Sequence, residues 1–400
     1  MAPFGLGRVH VFVAWEPNAV LRRLFKWRLG RSLRGLGAQP ELSMPTNPLR
    51  IAQVAPLYEA VPPRLYGGTE RVVAHLANSL VELGHDVTLF SSADAQTHAR
   101  LVPVRDQAIR LDPAPLKSDL AAHLSMIAEV RRRADEFDVI HFHTDMIHFS
   151  FFEHRAQHTL TTLHGRLDLK DLSAVYQRWP QFPLVSISDS QRAPLADANW
   201  MATVQHGLCA GAYDFHPRPE DYLAFLGRIS PEKRPDRAIA IAQAAGKRLK
   251  IAAKVDSVDR TYFEEKIEPL LDLPMIDFVG EIGDAEKSDF LGRAEALLFP
   301  IDWPEPFGLV MIEAMACGTP VIAFNCGSAP EVVEDGLTGF VVRDLTEAVE
   351  AVGRVGGLDR NAIRRRFEQR FSGIAMAERY VAIYNRLSAP SRERRSIAAE

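Results

Sequence analysis

Short apolar segments alternate with amphipathic helical segments along most of this chain, and this alternation limits the folds open to it. In the first repeat, residues 49–55 suit a buried strand, residues 69–83 suit a helix, and residues 87–90 suit a second strand. The helix would carry one apolar stripe, formed by Val72, Val73, Leu76, Ala77, Leu80 and Leu83. Strand, helix and strand in this order predict a doubly wound parallel sheet of the α/β class, in which ligands bind at the carboxyl ends of the strands.

Length and composition add broad limits to this prediction. A chain of 400 residues exceeds what one hydrophobic core usually supports, which predicts two domains of roughly 150–200 residues each. The formal net charge of −4 gives no reason to expect nucleic acid as a partner, and the oligomeric state stays open. Three cysteines without a Cys-x-x-Cys spacing indicate a reducing compartment, so we expect a cytoplasmic protein. No apolar run reaches the ~18 residues that a membrane span needs.

Residues 1–48 differ in composition from the rest of the chain. Their acidic residues are Glu16 and Glu41, whereas their basic residues are Arg8, Arg22, Arg23, Lys26, Arg28, Arg31 and Arg34. One interpretation is a basic, aromatic-containing arm that makes peripheral contact with an anionic membrane. The other, which we favour, is a disordered or spurious extension, with translation beginning at Met44.

A stretch from residue 302 to residue 322 combines two carboxylates with a predicted helix start. Glu305 and Glu313 lie eight positions apart, and Pro306 and Gly308 between them mark the turn into the helix. A helix start presents unpaired N–H groups that favour phosphate, and carboxylates beside it can accept hydrogen bonds from sugar hydroxyls. The same residues would also suit a capped surface helix, and the pattern alone leaves both interpretations open.

Two further segments place polar groups at strand ends. Arg228 and Lys233 follow a predicted strand at residues 222–226 and precede a helix, where they could hold a diphosphate or could simply be solvated surface cations. The pair Gly67-Gly68 precedes the first helix, which is weak evidence alone because turns use glycine freely. No Gly-x-Gly-x-x-Gly occurs here, so the segment gives no support for nicotinamide binding.

Several histidines invite a metal-site interpretation. They cluster between residues 141 and 164, with Asp145 among them, and the closest pair is His141 and His143. We favour partly buried, hydrogen-bonded histidines over a metal site.

These segments also resemble one known family. EPFGLVMIEAMACGTPVI resembles the Glu-x7-Glu signature of the retaining family 4 glycosyltransferases, GGTE resembles their Gly-Gly loop, and GRISPEK resembles their Gly-Arg-x5-Lys segment. Within the family, two stretches are similar to a small subgroup that includes an avilamycin-pathway enzyme. The chain departs from the family at Gln205-His206-Gly207-Leu208, where an Asn-Gly-x-Asp turn is usual.

The resemblance implies the GT-B fold, in which two Rossmann-like doubly wound domains face each other across a cleft and a C-terminal helix crosses back to the first domain. The predicted boundaries are residues 1–48 for the extension, 49–210 for the acceptor-side domain, 211–373 for the nucleotide-sugar domain, 374–388 for the returning helix and 389–400 for a tail.

The resemblance also implies roles for individual residues. The implied catalytic residues are Glu305, Arg228, Lys233 and His164, of which His164 would face the donor sugar. The implied donor-binding residues are Gly67, Gly68, Glu281, Phe307, Gly308, Leu309 and Glu313.

The implied reaction moves a sugar from a UDP- or GDP-sugar, UDP-sugar being our first choice, to a hydroxyl of a saccharide, lipid or small-molecule acceptor. It retains configuration and needs no metal and no cofactor. The alternatives are a sugar phosphorylase or epimerase of the same fold and a non-catalytic nucleotide-sugar binding protein.

Overall fold

Two parallel β-sheets organise the protein, whose computed structural model describes residues 47–64 and 67–389. The first sheet has seven strands in the order β3-β2-β1-β4-β5-β6-β7. Its strands are β1 (Arg50–Val54), β2 (Asp86–Ser92), β3 (Arg100–Arg105), β4 (Val139–Phe142), β5 (Thr159–Thr162), β6 (Leu184–Ser186) and β7 (Trp200–Thr203). The chain order reverses between β1 and β4, and such a point opens a crevice at the carboxyl ends of the strands.

Helices cover both faces of this sheet, and its central strands are therefore buried on both sides. They are α1 (Gly68–Glu82), α2 (Asp119–Arg132), α3 (Phe149–Phe152), α4 (Leu172–Arg178) and α5 (Asp189–Arg192). The predicted apolar stripe of α1 is buried at Val72, Val73, Leu76, Ala77 and Leu80, which confirms the reading of the first strand–helix–strand repeat.

The second sheet has six strands in the order β10-β9-β8-β11-β12-β13. Its strands are β8 (Leu223–Arg228), β9 (Leu249–Lys254), β10 (Ile276–Gly280), β11 (Ala296–Phe299), β12 (Val321–Phe324) and β13 (Gly339–Val342). The helices that follow are α6 (Pro235–Ala245), α7 (Arg260–Tyr262), α8 (Glu268–Leu271), α9 (Asp284–Gly292), α10 (Leu309–Ala316), α11 (Ala329–Val332), α12 (Leu345–Arg354), α13 (Arg360–Phe371) and α14 (Gly373–Ser388).

Some elements differ from the sequence-based expectation. Strand β3 was not predicted, because it is a half-exposed strand at the edge of its sheet and contains Pro103. Residues 260–271 form one helical stretch in which a π-helix at Phe263–Ile267 lies between α7 and α8. Pro269 lies in the first turn of α8, and a proline there has no N–H to continue the preceding helix.

The last helix, α14, packs against the first sheet although it follows the second one in the chain. Its buried face consists of Gly373, Met376, Ala377, Tyr380, Ile383, Tyr384 and Leu387. All of these residues except Gly373 form one apolar cluster with residues of β1 and α1, including Ile51, Leu76 and Leu80. Two doubly wound sheets and a returning helix are the predicted GT-B arrangement, and this fold class is confirmed.

The predictions for residues 1–46 and for residues 390–400 lie outside the described residues. The predicted domain limits likewise stay predictions. None of the helices described in the structure is both long and apolar enough to cross a membrane.

We expect the returning helix to contribute strongly to stability. Replacing Tyr384 by Ala empties a fully buried position, so the free energy of unfolding should fall by about 3–5 kcal/mol. Arg386→Ala on the exposed face of the same helix should change it by less than ~0.5 kcal/mol. Chemical denaturation of both variants tests this, and equal effects would mean that the packing of α14 is not stabilising.

Candidate active site

One cleft brings together every residue that the sequence analysis assigned to catalysis or donor binding. A cavity of about 600 Å³ is lined by residues that follow strands of both sheets. The assigned residues among them are Gly67, Gly68, His164, Arg228, Lys233, Glu281, Glu305, Phe307, Gly308, Leu309 and Glu313. Glu331 of α11 does not line this cavity, and it accepts hydrogen bonds from the backbone N–H groups of Asp189 (2.8 Å) and Ser190 (2.7 Å), at the start of α5.

Glycines let two helices begin at this cleft. Gly67 has a φ of 154°, and a Cβ atom there would lie 2.8 Å from the Cβ atom of Pro63. Gly308 has a φ of 80°, and a Cβ atom there would lie 2.8 Å from the ring of Phe299. The first residues of α1 and α10 therefore meet in the cleft, where their unpaired N–H groups can face an anion.

The two assigned cations are paired with carboxylates in the structure. Lys233 forms an ion pair with Glu305, and its ammonium group lies 5.1 Å from the ring centre of Trp303. Arg228 pairs with Glu232, and its guanidinium nitrogens lie 3.4 Å from Asp259 and 3.8 Å from Asp256. The sequence analysis missed these acidic partners of Arg228, because only the fold brings residues 256 and 259 to the end of β8.

Glu313 lies in a buried cluster of charges that joins the two domains. Its Oε1 atom accepts a hydrogen bond from the Tyr213 hydroxyl (2.9 Å) and lies 3.4 Å from the Lys287 ammonium. Arg71 of α1 is 4% exposed and pairs with Asp284 of the second domain. Burial alone would raise the pKa of Glu313, but Lys287 and Arg71 outweigh that effect and hold the pKa below its usual range. Glu313 is therefore a carboxylate whose position depends on both domains.

His164 is held by a chain of hydrogen bonds that reaches the returning helix. Its Nε2 atom lies 2.9 Å from Nδ1 of His143, whose Nε2 atom lies 2.8 Å from Oε1 of Gln53. The Gln53 amide donates to the Tyr384 hydroxyl (3.0 Å). Burial lowers the pKa of His164 to about 3, so the ring is neutral near pH 7 and is a poor general base.

The neighbouring histidines His141 and His206 differ in their contacts. His141 lies 2.7 Å from the Tyr384 hydroxyl and 2.8 Å from Thr162 Oγ1, and the ring of His206 stacks on His164 at 5.2 Å between centres. No group of three or more His, Cys, Asp or Glu residues in the described part of the chain could hold a metal ion. His206 belongs to the segment that departs from the family pattern, and this departure was the only feature of the sequence that pointed to His206.

Two carboxyl groups of the first domain also line the cleft, and the sequence analysis assigned neither to it. Asp145 follows β4 and is accessible from the cleft, although the walls of the cleft surround its carboxyl group and reduce its hydration. Glu70 of α1 is 5% exposed. Loss of hydration raises the pKa of Asp145 to about 6 and that of Glu70 to about 7.

The buried histidines make a prediction about stability and pH. Burial lowers the pKa of His141, His143, His148, His164 and His206, so these rings stay neutral in the folded state while the unfolded chain takes up protons below about pH 6.5. The free energy of unfolding should therefore fall as the pH drops from about 7.5 to about 5.5. The raised pKa values of Asp145 and Glu70 oppose this trend but involve fewer groups.

Denaturant titrations at several pH values measure this slope. His148→Phe removes one histidine that does not line the cleft, and should lower the slope by up to about 1.4 kcal/mol per pH unit. His154→Gln changes an exposed ring and should leave the slope unchanged. A stability that rises on acidification would contradict the prediction.

Comparison with known proteins agrees with this fold. Residues 66–257 match the family described as Glycosyltransferase Family 4, and residues 215–355 match the family described as Glycosyl transferases group 1. Together the two matches extend over well more than half of the chain.

Individual relatives span nearly the whole described chain. The alpha-maltose-1-phosphate synthase of Mycolicibacterium smegmatis is 26% identical, over 84% of this chain and 100% of its own length. The D-inositol 3-phosphate glycosyltransferase of the same organism is 24% identical, over 82% of this chain and 88% of its own length. The crystal structure of AviGT4, a glycosyltransferase involved in avilamycin A biosynthesis, is 26% identical and superposes with a TM-score of 0.66, covering 86% of this chain and 99% of AviGT4. The chain is therefore a family 4 glycosyltransferase with the two-domain GT-B fold.

Proposed function

We propose that this glycosyltransferase moves a sugar from a nucleotide-sugar donor, a UDP-sugar first of all, to a hydroxyl group of its acceptor, with retention of configuration and without a metal ion. The observation that carries the proposal is the convergence of two helix starts, Arg228 and Lys233 in one cleft. A diphosphate is the ligand that suits unpaired N–H groups and two cations together.

Charge compensation supports this assignment. Lys233 and Arg228 are already neutralised by Glu305 and Glu232, so a diphosphate would have to take over part of these ion pairs. Such an exchange would free Glu305 to accept hydrogen bonds from the hydroxyls of the transferring sugar. Arg228 offers a planar fork of N–H donors for the phosphate oxygens, whereas Lys233 offers a compact charge.

In the proposed reaction, the acceptor oxygen forms a bond to the anomeric carbon as the bond from that carbon to the diphosphate oxygen breaks. The acceptor proton passes to the departing phosphate oxygen. Arg228, Lys233 and the N–H groups at the start of α10 stabilise the negative charge that grows on the diphosphate. His164 is neutral and orients the sugar, and Glu313 holds the ribose hydroxyls.

Turnover in the presence of a chelator tests the metal-free part of this proposal. A nucleotide screen by thermal shift should first identify the donor, since a ligand at 100 times its Kd stabilises by about 2.7 kcal/mol. Sugar transfer should then continue undiminished in EDTA, and the product should keep the anomeric configuration of the donor by NMR. Loss of activity in EDTA that manganese or magnesium restores would refute it. A protein that binds the donor without any turnover would instead be the non-catalytic alternative.

The proposed roles predict different kinetic effects for substitution of the two cations and for substitution of Glu313. Arg228→Ala and Lys233→Ala remove charge that the departing diphosphate needs, so kcat should fall about 100-fold, which corresponds to about 2.7 kcal/mol. Glu313→Gln keeps the side-chain shape and removes a contact made equally before and during the reaction, so it should raise the donor KM and leave kcat nearly unchanged. Steady-state kinetics measures both effects.

Lys247→Ala is a matched control for Lys233→Ala. Lys247 also pairs with a glutamate, Glu295 at 2.9 Å, but it lies outside the cleft, so this variant should keep full activity. Glu313 is buried among cations, and its variant must therefore be checked for folding by its melting temperature. A Glu313→Gln protein that folds and keeps its donor KM would show that this residue has only a structural role.

A further inference from the structure

Gln53 of β1 connects the returning helix to the histidines of the cleft. Its side chain is fully buried, and it lies beside His141 of β4 in the sheet. The Gln53 amide nitrogen donates a hydrogen bond to the Tyr384 hydroxyl (3.0 Å), and the Oε1 atom of the same amide lies 2.8 Å from Nε2 of His143. An amide oxygen has no hydrogen to give, so at this contact Gln53 accepts.

The direction of these hydrogen bonds fixes the position of the hydrogen on each ring. Burial lowers the pKa of His143, and that of His164 to about 3, so both rings are neutral and carry one N–H each. Because Gln53 Oε1 accepts, Nε2 of His143 carries the hydrogen. Nδ1 of His143 then accepts from Nε2 of His164, at 2.9 Å. Nδ1 of His164 is left with a lone pair and no hydrogen, so it can only accept.

This remaining acceptor of His164 has no partner within the protein. The ring lines the cleft, but its Nδ1 atom makes no hydrogen bond to any described residue. The ring of His206 stacks on it at 5.2 Å between centres and limits its rotation. A buried lone pair without a partner costs stability, because it has lost its hydrogen bonds to water. A ligand group that donates to Nδ1 would recover this loss.

We propose that Gln53 is a positioning residue that fixes the hydrogen of His164 on Nε2, so that the ring offers the substrate an acceptor and selects a group that donates. The inference rests on the proposed function where it names this group, which is a hydroxyl of the transferring sugar. A hydroxyl can donate to Nδ1, whereas a carboxylate at the same place has no hydrogen to give. Gln53 does not line the cleft, so it acts through the two histidines.

The returning helix holds the Gln53 amide in this orientation. The Tyr384 hydroxyl accepts from Gln53 and can donate its own hydrogen to Nδ1 of His141, which lies 2.7 Å away. An amide turned end over end would reverse every hydrogen bond between Tyr384 and His164, and it would leave the hydrogen of His164 on Nδ1. The tautomer of His164, which is the position of its ring hydrogen, therefore measures the proposal directly.

NMR of protein labelled with nitrogen-15 in its histidine rings determines this tautomer without any ligand. A ring nitrogen that carries hydrogen and one that does not resonate far apart, and the signals of His164 are assigned by their loss in His164→Gln. Near neutral pH we expect hydrogen on Nε2 of His164 and none on Nδ1. Hydrogen on Nδ1, or a mixture of the two tautomers, would overturn the proposal.

Two glutamine variants form a matched pair for the same measurement. Gln53→Met removes the amide that directs the hydrogen bonds, so His164 should lose its preference for hydrogen on Nε2. Gln191→Met also removes a buried amide of the first domain. That amide donates to the backbone oxygens of Leu163 and Gly165, on either side of His164, and its loss should leave the tautomer unchanged. An unchanged tautomer in Gln53→Met, or an equal change in both variants, would remove Gln53 from this role. If Gln53→Met does not fold, the wild-type spectrum decides.

Kinetics separates this role from general damage to the cleft. UDP carries no sugar, so Gln53→Met should bind UDP within about twofold of wild type, while kcat with the donor found in the thermal-shift screen should fall about tenfold. An unchanged kcat, or a loss of UDP affinity as large as the loss of kcat, would contradict the proposal. Failure of the proposed function is distinguishable, because it would appear as the absence of any nucleotide effect in the screen, whereas the tautomer is measured on the protein without ligand.

Discussion

The packing of α14 against the first sheet is the interaction on which the rest of the structure depends. This helix follows the second sheet in the chain but buries its apolar face on β1 and α1, so it fastens the two domains to each other. Its Tyr384 hydroxyl contacts both Gln53 and His141. Through Gln53 and His143, the same helix determines the orientation of His164 at the cleft. A contact that serves folding is therefore continuous with the hydrogen bonds of the proposed donor site.

Ion pairs neutralise cations that line the cleft. A cation that faces a low-dielectric cleft without a partner is costly, and the structure pairs Lys233 with Glu305 and Arg71 with Asp284. The pair of Arg71 and Asp284 crosses from one domain to the other, so the electrostatics near Glu313 depends on how the domains are placed. A diphosphate entering this site would exchange one set of ion pairs for another, which reduces the cost of binding and releasing it.

The first domain contributes a group of neutral histidines to the cleft, which are His143, His164 and His206. Cations and carboxyl groups line both walls. His164 lies at the boundary, uncharged because burial lowers its pKa to about 3. An acceptor held by the first wall would meet the anomeric carbon of a donor held by the second.

The sequence by itself determined the fold class, and it predicted a set of residues that the fold brings to one cleft. Apolar strands and striped helices follow from side-chain periodicity, and Glu305, Arg228 and Lys233 could be identified because their motifs are local in the chain. Tertiary structure alone decided which charges compensate one another. Asp259 approaches Arg228 only when β8 and β9 lie side by side, and Arg71 approaches Asp284 only when the two domains meet. It also decided the pKa values of Asp145 and Glu70, because the loss of hydration that raises them depends on the surrounding walls of the cleft and not on neighbouring residues in the sequence.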